Sequence, residues 1–280
     1  MITSIIFSKN RPLQLDLCLD SIKTNFPDSS QNIVIHNNSK EFEEAHTTLE
    51  TEHPNIEFRS QGFSLFQDIY NAICSSKHEY ICFFTDDDIV YQTIKPTDNY
   101  NSILQNHHVA CLSLRMGLNI SERSHDGVVG KDTVAAYQEY NNLIVWSKTS
   151  HPYGSYWSYS LSVDGHIFRK NDILQMVDEL CALESRYEWK QTPNELESVL
   201  QRFWTTTPNM MASPTTSAVV NSPNNRVQNT HNNMSGETYN YEAHLLLDKY
   251  VAGARINLDR LDCSNIKCPH TEIDLITGLV

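Results

Sequence analysis

Glycine is scarce in this chain, nine residues among 280, and the loop after the first apolar segment, Ser8-Lys9-Asn10-Arg11-Pro12, has none. Such a loop cannot wrap a triphosphate with closely approaching backbone amides, as glycine-rich phosphate loops do. Basic residues are few as well: 21 Lys and Arg stand against 34 Asp and Glu, for a net charge of −13. That balance disfavours nucleic acid or an anionic membrane as the main partner, while a nucleotide can still bind through a metal bridge and backbone amides. No apolar run approaches the roughly 20 residues of a membrane span, so no transmembrane segment is expected. The opening residues, Met1 to Phe7, lack the basic start and cleavage site of a signal peptide. Seven cysteines, an odd number, are scattered along the chain, several within apolar segments, and read as core residues of a soluble protein in a reducing, cytoplasmic setting. Cys263, Cys268 and His270 have no fourth ligand nearby and make a weak zinc pattern.

What the chain does have is an acidic triplet in an unusual place. Tyr80-Ile81-Cys82-Phe83-Phe84-Thr85 reads as a strand buried on both faces, and it ends on Asp86-Asp87-Asp88. Three adjacent carboxylates at the mouth of a low-dielectric core are tolerable only if solvated or neutralised by a cation. A divalent metal at the carboxyl end of a central strand is the economical explanation. An EF-hand is excluded, because the sixth loop position counted from Asp86 is Tyr91 and the twelfth is Thr97.

Periodicity supplies the surroundings. Strands are expected at Ser4 to Phe7, Ile33 to Ile35 and Ile56 to Phe58, separated by helices opening at Pro12, running from Glu41 to Glu52, and following Gly62. This βαβαβαβ order implies parallel strands with right-handed crossovers, a nucleotide-binding type of half-sheet. Beyond the triplet, Val109 to Leu114, Leu143 to Trp146 and Leu161 to Phe168 look like strands of a mixed sheet. Helices follow at about Asn171 to Leu183, Pro193 to Trp204 and Tyr241 to Val251. The polar stretch from Thr205 to Gly236, enclosing Ser217-Ala218-Val219-Val220, reads as an ordered excursion over the site. One domain over residues 1–280 is expected, with a nucleotide-binding half at 1–92, an acceptor and catalytic half at 93–236, and a C-terminal helix and tail at 237–280.

The segment Ile5 to Pro12, the polar end of the second strand and Phe84 to Asp88 together resemble a GT-A-fold glycosyltransferase of the family 2-like group. Ser162 to Arg169, Pro193 to Glu197 and Asn225 to Gln228 are similar to segments of uncharacterised bacterial and viral glycosyltransferase-like proteins. The resemblance implies an α/β GT-A fold whose mostly parallel sheet continues into a mixed acceptor-side sheet. It further implies a UDP- or GDP-type sugar donor, a glycan or other hydroxyl acceptor, and Mn²⁺ or Mg²⁺ as cofactor. Donor binding would fall to Ser8, Lys9, Asn10, Arg11, Asn37, Asn38, Ser39, Asp68, Asp86 and Asp87, and metal binding to Asp88, Asp86 and a late histidine, His231.

An inverting transfer needs a carboxylate to take the acceptor proton. Glu195 and Glu197 are the candidates, with Asp164 in reserve. Thr192-Pro193-Asn194-Glu195 reads as a capping box that gives Glu195 a structural task, which leaves Glu197 as the base. Trp157 and Tyr153, from an aromatic cluster, and His166 are the acceptor-site candidates. Two rival readings remain at this stage: a catalytically silent sugar- or nucleotide-binding module of the same fold, and a nucleotidylyltransferase, which the glycine-free loop disfavours.

Overall fold

The computed structural model describes residues 1–94, 100–125, 128–203, 208–228 and 235–280. In chain order the elements are β1 (Ile2–Ser8), α1 (Pro12–Asn25), β2 (Ser29–His36), α2 (Glu43–Glu52), β3 (Glu57–Ser60), α3 (Leu65–Ser75), β4 (Tyr80–Thr85) and β5 (Asp88–Val90). Then come α4 (Tyr100–Leu104), β6 (Val109–Ser113), β7 (Glu122–His125), β8 (Val128–Lys131), β9 (Gln138–Tyr140), β10 (Leu143–Ser147), β11 (His166–Arg169) and α5 (Lys170–Leu183). α6 (Pro193–Phe203), β12 (Met210–Pro214), β13 (Val219–Asn221) and α7 (Ala243–Val251) complete the order.

Nine of the strands form one sheet in the order β3-β2-β1-β4-β11-β6-β12-β10-β9. β3, β2, β1 and β4 are parallel, as the alternating helices require. β11 then enters antiparallel between β4 and β6, β12 runs parallel to β6, and β10 and β9 close the far side antiparallel. The protein is thus α/β with a large, mostly parallel sheet that turns mixed past β4, in line with the sequence pattern. The apolar runs of β1 and β4 are buried along their length because both strands lie inside the sheet.

Two local outcomes differ from the expectations, and a third feature had no expectation attached to it. The segment from Leu161 is not strand until His166: Gly165, at φ 69°, breaks the run, and a Cβ there would stand 3.1 Å from Val219. The stretch after Thr205 contributes a strand of the main sheet, β12, whose Met-Met-Ala-Ser-Pro sequence lacks the β-branched signature of a strand. The third is the tight turn between β9 and β10, where Asn141 and Asn142 take φ 49° and 66°, the two-residue turn that asparagine tolerates. Among the described residues, no helix is long and apolar enough to cross a membrane.

Candidate active site

The parallel strands β1 and β4 end side by side, and Asp86 N–H extends their ladder by donating to Phe7 O at 2.9 Å. At this edge a cavity of about 460 Å³ opens, lined by Ser8, Lys9, Arg11, Asn37, Asp86, Asp87, Asp164 and Glu197 among others. Asp86 Oδ2 accepts from Ser8 Oγ (3.0 Å) and Lys9 N–H (2.8 Å), while Oδ1 accepts from Arg11 Nη1 (2.9 Å). The same Nη1 donates to Asp87 Oδ2 at 2.8 Å. Asp87 Oδ1 accepts from Asn221 Nδ2 at 2.9 Å. Arg11 is held in turn by Asn225, which accepts from Nε through its side chain at 2.7 Å and from Nη2 through its carbonyl. A cation internal to the chain is therefore the first neutraliser of the triplet.

Asp88 is turned away from the cavity. It opens β5, is fully buried, and accepts from Thr85 N–H at 2.8 Å and Asn221 Nδ2 at 3.1 Å. Asp164, delivered by the bend before β11, accepts from Arg115 Nη1 at 2.7 Å and Thr85 Oγ1 at 3.3 Å. Arg115 is itself buried, its guanidinium lying 5.4 Å from the ring centre of Tyr156 and 6.0 Å from that of Tyr159. His270 stands with Nε2 4.0 Å from Asp164 Oδ2 and Nδ1 3.2 Å from Asn221 Oδ1.

Four carboxylates, Asp86, Asp87, Asp88 and Asp164, are thus gathered with two guanidinium groups, and burial, with neighbouring carboxylates adding to it, raises Asp86, Asp88 and Asp164. Burial, with the neighbouring Asp87 adding to it, pushes Asp86 up to about 6 although Arg11 pulls the other way. Burial and then Asp164 and Asp87 push Asp88 well above the usual carboxylate range. Asp164 is raised by burial, with Arg115 opposing and Asp87 adding. Among the described residues no group of three His, Cys, Asp or Glu side chains has the arrangement of a complete metal site. An all-oxygen set with uncompensated charge nevertheless fits a hard divalent cation that takes most of its ligands from phosphate and water and only one or two from protein. Asp86, Asp87 and Asp164 are the carboxylates of the group that reach the cavity wall.

Glu197 lies on α6, its Oε1 accepting from Val163 N–H at 2.7 Å and its Oε2 3.5 Å from the Tyr159 hydroxyl. Burial, with Asp164 adding and Arg115 opposing, raises its carboxyl to about 7. A carboxylate so tuned exchanges protons near neutral pH. Glu195 is absent from the cavity wall. Its N–H donates to Thr192 Oγ1 at 3.3 Å, and Thr192 N–H bonds to Lys190 O at 2.7 Å. The cap therefore forms through threonine, with the Thr192 N–H already bonded elsewhere.

The remaining sequence candidates separate into two groups. Asn37 lines the cavity, whereas Asn10, Asn38 and Ser39 tie two loops together: Asn10 N–H donates to Asn38 Oδ1 at 3.0 Å, and Ser39 N–H donates to Asn10 Oδ1 at 2.8 Å. Asp68 closes the β3–α3 loop by accepting from Gly62 N–H at 2.7 Å. Trp157 is fully buried against Trp146, with ring centres 4.9 Å apart, and donates to Asp132 O, so it is a core residue and not a cleft one. His166 is likewise buried, bonded to Ser113 Oγ at 2.8 Å, with its basicity pushed well below normal by burial and Arg115. Tyr153 is fully exposed and does not line the cavity. His231 lies outside the described residues. Arg115 and Asn221 were not legible as site residues, and His270 draws notice in the sequence only through its zinc pattern with Cys263 and Cys268. The available signals were a lone arginine capping the apolar run to Leu114, and an asparagine capping the run to Val220.

No family profile matches the chain, and no curated protein sequence matches it. Among solved structures, it is similar to S. aureus TarS 1-349 in complex with UDP, at 14% identity and a TM-score of 0.47, over 80% of this chain and 61% of that one. A mannosyltransferase, PcManGT from Pyrobaculum calidifontis in complex with GDP-Man and Mn²⁺, is similar at 15% identity over 40% of this chain and 34% of that one, with a TM-score of 0.31. The bifunctional IspDF from Campylobacter jejuni is similar at 10% identity over 71% of this chain and 47% of that one, with a TM-score of 0.34. The chain spans less than two thirds of each of these proteins. At such identities and TM-scores the likenesses carry no argument about activity, which rests on the residues themselves.

Proposed function

We propose that this chain is a metal-dependent glycosyltransferase of the GT-A type, moving a sugar from a UDP- or GDP-linked donor to a hydroxyl of a glycan acceptor with inversion. The observation that carries this reading is a carboxyl raised to about 7, Glu197, in the same cavity as Asp86, Asp87 and Asp164. Acid–base chemistry at neutral pH and a charge-surplus oxygen cluster are the two things such a transfer requires.

In this reading Glu197 accepts the proton of the attacking hydroxyl at Oε2, the oxygen with the looser partner, while Val163 N–H keeps Oε1 oriented. Ser8, Lys9, Arg11 and Asn37 line the donor side, and Arg11, already anchored by Asn225, holds Asp86 and Asp87 in place. Asp87 and Asp164 would hold a divalent ion, with His270 beside them; when bound, that ion supplies neutralisation of the departing diphosphate. This shifts the metal role away from Asp88, which is fully buried and does not line the cavity. The test is release of nucleoside diphosphate from a panel of UDP- and GDP-sugars with Mn²⁺ present or chelated. A chain that releases diphosphate equally well with the metal removed contradicts the metal assignment.

A further inference from the structure

With Trp157 and His166 in the core and Tyr153 off the cavity wall, none of the three acceptor-site candidates offers a ring to the cavity. A different set of rings lies on segments that carry cavity-wall residues: Phe63 between Gln61 and Leu65, and Tyr187 and Trp189 ahead of Gln191 and Thr192. The loop joining β3 to α3 and the segment leading into α6 are bound together: Ser64 Oγ donates to the Glu184 carboxylate at 2.7 Å, and Leu65 N–H donates to Gln191 Oε1 at 2.7 Å. Gln61 Nε2 adds a bond to Gln191 O at 3.3 Å. Gln61, Leu65, Gln191 and Thr192 are wall residues of the cavity, so this seam is its rim.

Two large rings project from the seam. Phe63 is 102% exposed and Tyr187 is 57% exposed. Neither belongs to a loose loop. Gly62 and Ser64, on either side of Phe63, are fixed by Asp68 and Glu184. Tyr187 stacks on Trp189 at 5.5 Å between ring centres and 8° between planes, and Trp189 packs edge-on against buried Phe66 at 5.3 Å. The result is an aromatic stair from buried Phe66 through Trp189 to exposed Tyr187, on the segment that leads to the wall residues Gln191 and Thr192.

We propose that this rim is a carbohydrate-binding platform on which the acceptor glycan lies, with its reactive hydroxyl toward Glu197. The proposal rests on the glycosyltransferase reading for the direction of the chain, not for the binding itself. Flat exposed rings suit the C–H faces of pyranose sugars, and stacking on fixed rings loses little conformational entropy. The segment from 184 to 190 carries Glu184, Arg186, Glu188 and Lys190, two charges of each sign, so it presents no basic field for a lipid headgroup or phosphate polymer. The segment bearing Tyr187 and Trp189 runs directly into α6, which carries Glu197, so the rings and the proposed base share one stretch of chain.

The experiment titrates the full chain with maltohexaose, cellohexaose and chitohexaose without donor, followed by tryptophan fluorescence and saturation-transfer NMR, and compares Phe63→Ala, Tyr187→Ala and the double variant. We expect at least one hexasaccharide to bind saturably, each single variant to weaken it several-fold, and the double variant to weaken it roughly tenfold or more. UDP and GDP binding and the melting temperature should be unchanged in all three, since both side chains are exposed. Failure of all three sugars to bind the wild-type chain overturns the platform, as does undiminished sugar binding by the double variant. Loss of nucleotide binding in place of sugar binding would assign the rings to the donor base and overturn it equally. Sugar binding without release of diphosphate from any donor would leave the platform standing and remove the glycosyltransferase reading.

Discussion

Arg11 joins Asp86 and Asp87 through a single nitrogen while its other nitrogens are held by Asn225, so its charge cannot leave without exposing two buried carboxylates to each other. Arg11→Met should cost about 3–5 kcal/mol in urea unfolding, the range for removing one partner of a buried ion pair. Glu197 gives a prediction of opposite sign. Its carboxyl is raised from 4.5 to about 7, so the fold favours the protonated form. That contribution is present in full below about pH 4.5 and is lost as pH rises through about 7. Glu197→Gln should therefore melt above the wild type at pH 8 and close to it at pH 4.5. The same substitution should lower turnover by roughly 10²–10⁴-fold, and wild-type turnover should rise with pH through about 7. At this scale the sequence exposed what local pattern can expose, such as acid at the end of an apolar strand. It could not tell Trp157 in a core from tryptophan in a cleft, because burial is a property of the whole packing and not of neighbours in sequence.

Elements place these residues, and their ends matter more than their middles. α6 begins with Thr192 as its cap, accepting from Glu195 N–H, and its C=O takes the first helical bond from Leu196 at 3.1 Å. Thr192→Ala should cost about 0.5–2 kcal/mol, whereas Glu195→Gln should cost only the few tenths of a first-turn charge. The contrast, read by thermal or urea unfolding, separates a single cap from a reciprocal one. Gly165 ends the approach to β11 in a left-handed conformation, so Gly165→Ala should destabilise by about 1–2 kcal/mol and disturb the adjacent Asp164. The βα alternation of the first half was legible because strand and helix periods differ and Pro12 marks a helix start. β12 was not, since its Met210-Met211-Ala212-Ser213-Pro214 sequence carries no period and lies in a polar stretch. Its place between β6 and β10 is set by the neighbours that bury it.

At the scale of the whole molecule, the site is assembled from segments far apart in sequence. Asp86 comes from the end of β4, Arg115 from beyond β6, Asp164 from the bend before β11, Glu197 from α6, Asn221 from β13 and His270 from the C-terminal tail. No local pattern announces such a convergence, which is why Arg115, Asn221 and the place of His270 beside Asp164 are not legible in the sequence. The convergence also underlies the proposal that one cavity combines a donor-holding acidic cluster with a base tuned near neutrality. The most direct measurement is diphosphate release from UDP- and GDP-sugars in Mn²⁺, by the wild type and by Glu197→Gln, with an acceptor hexasaccharide present. We expect metal-dependent release from at least one donor, coupled to extension of the saccharide, and a loss of roughly 10²–10⁴-fold in the variant with donor binding intact. Wild-type release with no dependence on metal, or full activity in Glu197→Gln, would contradict it.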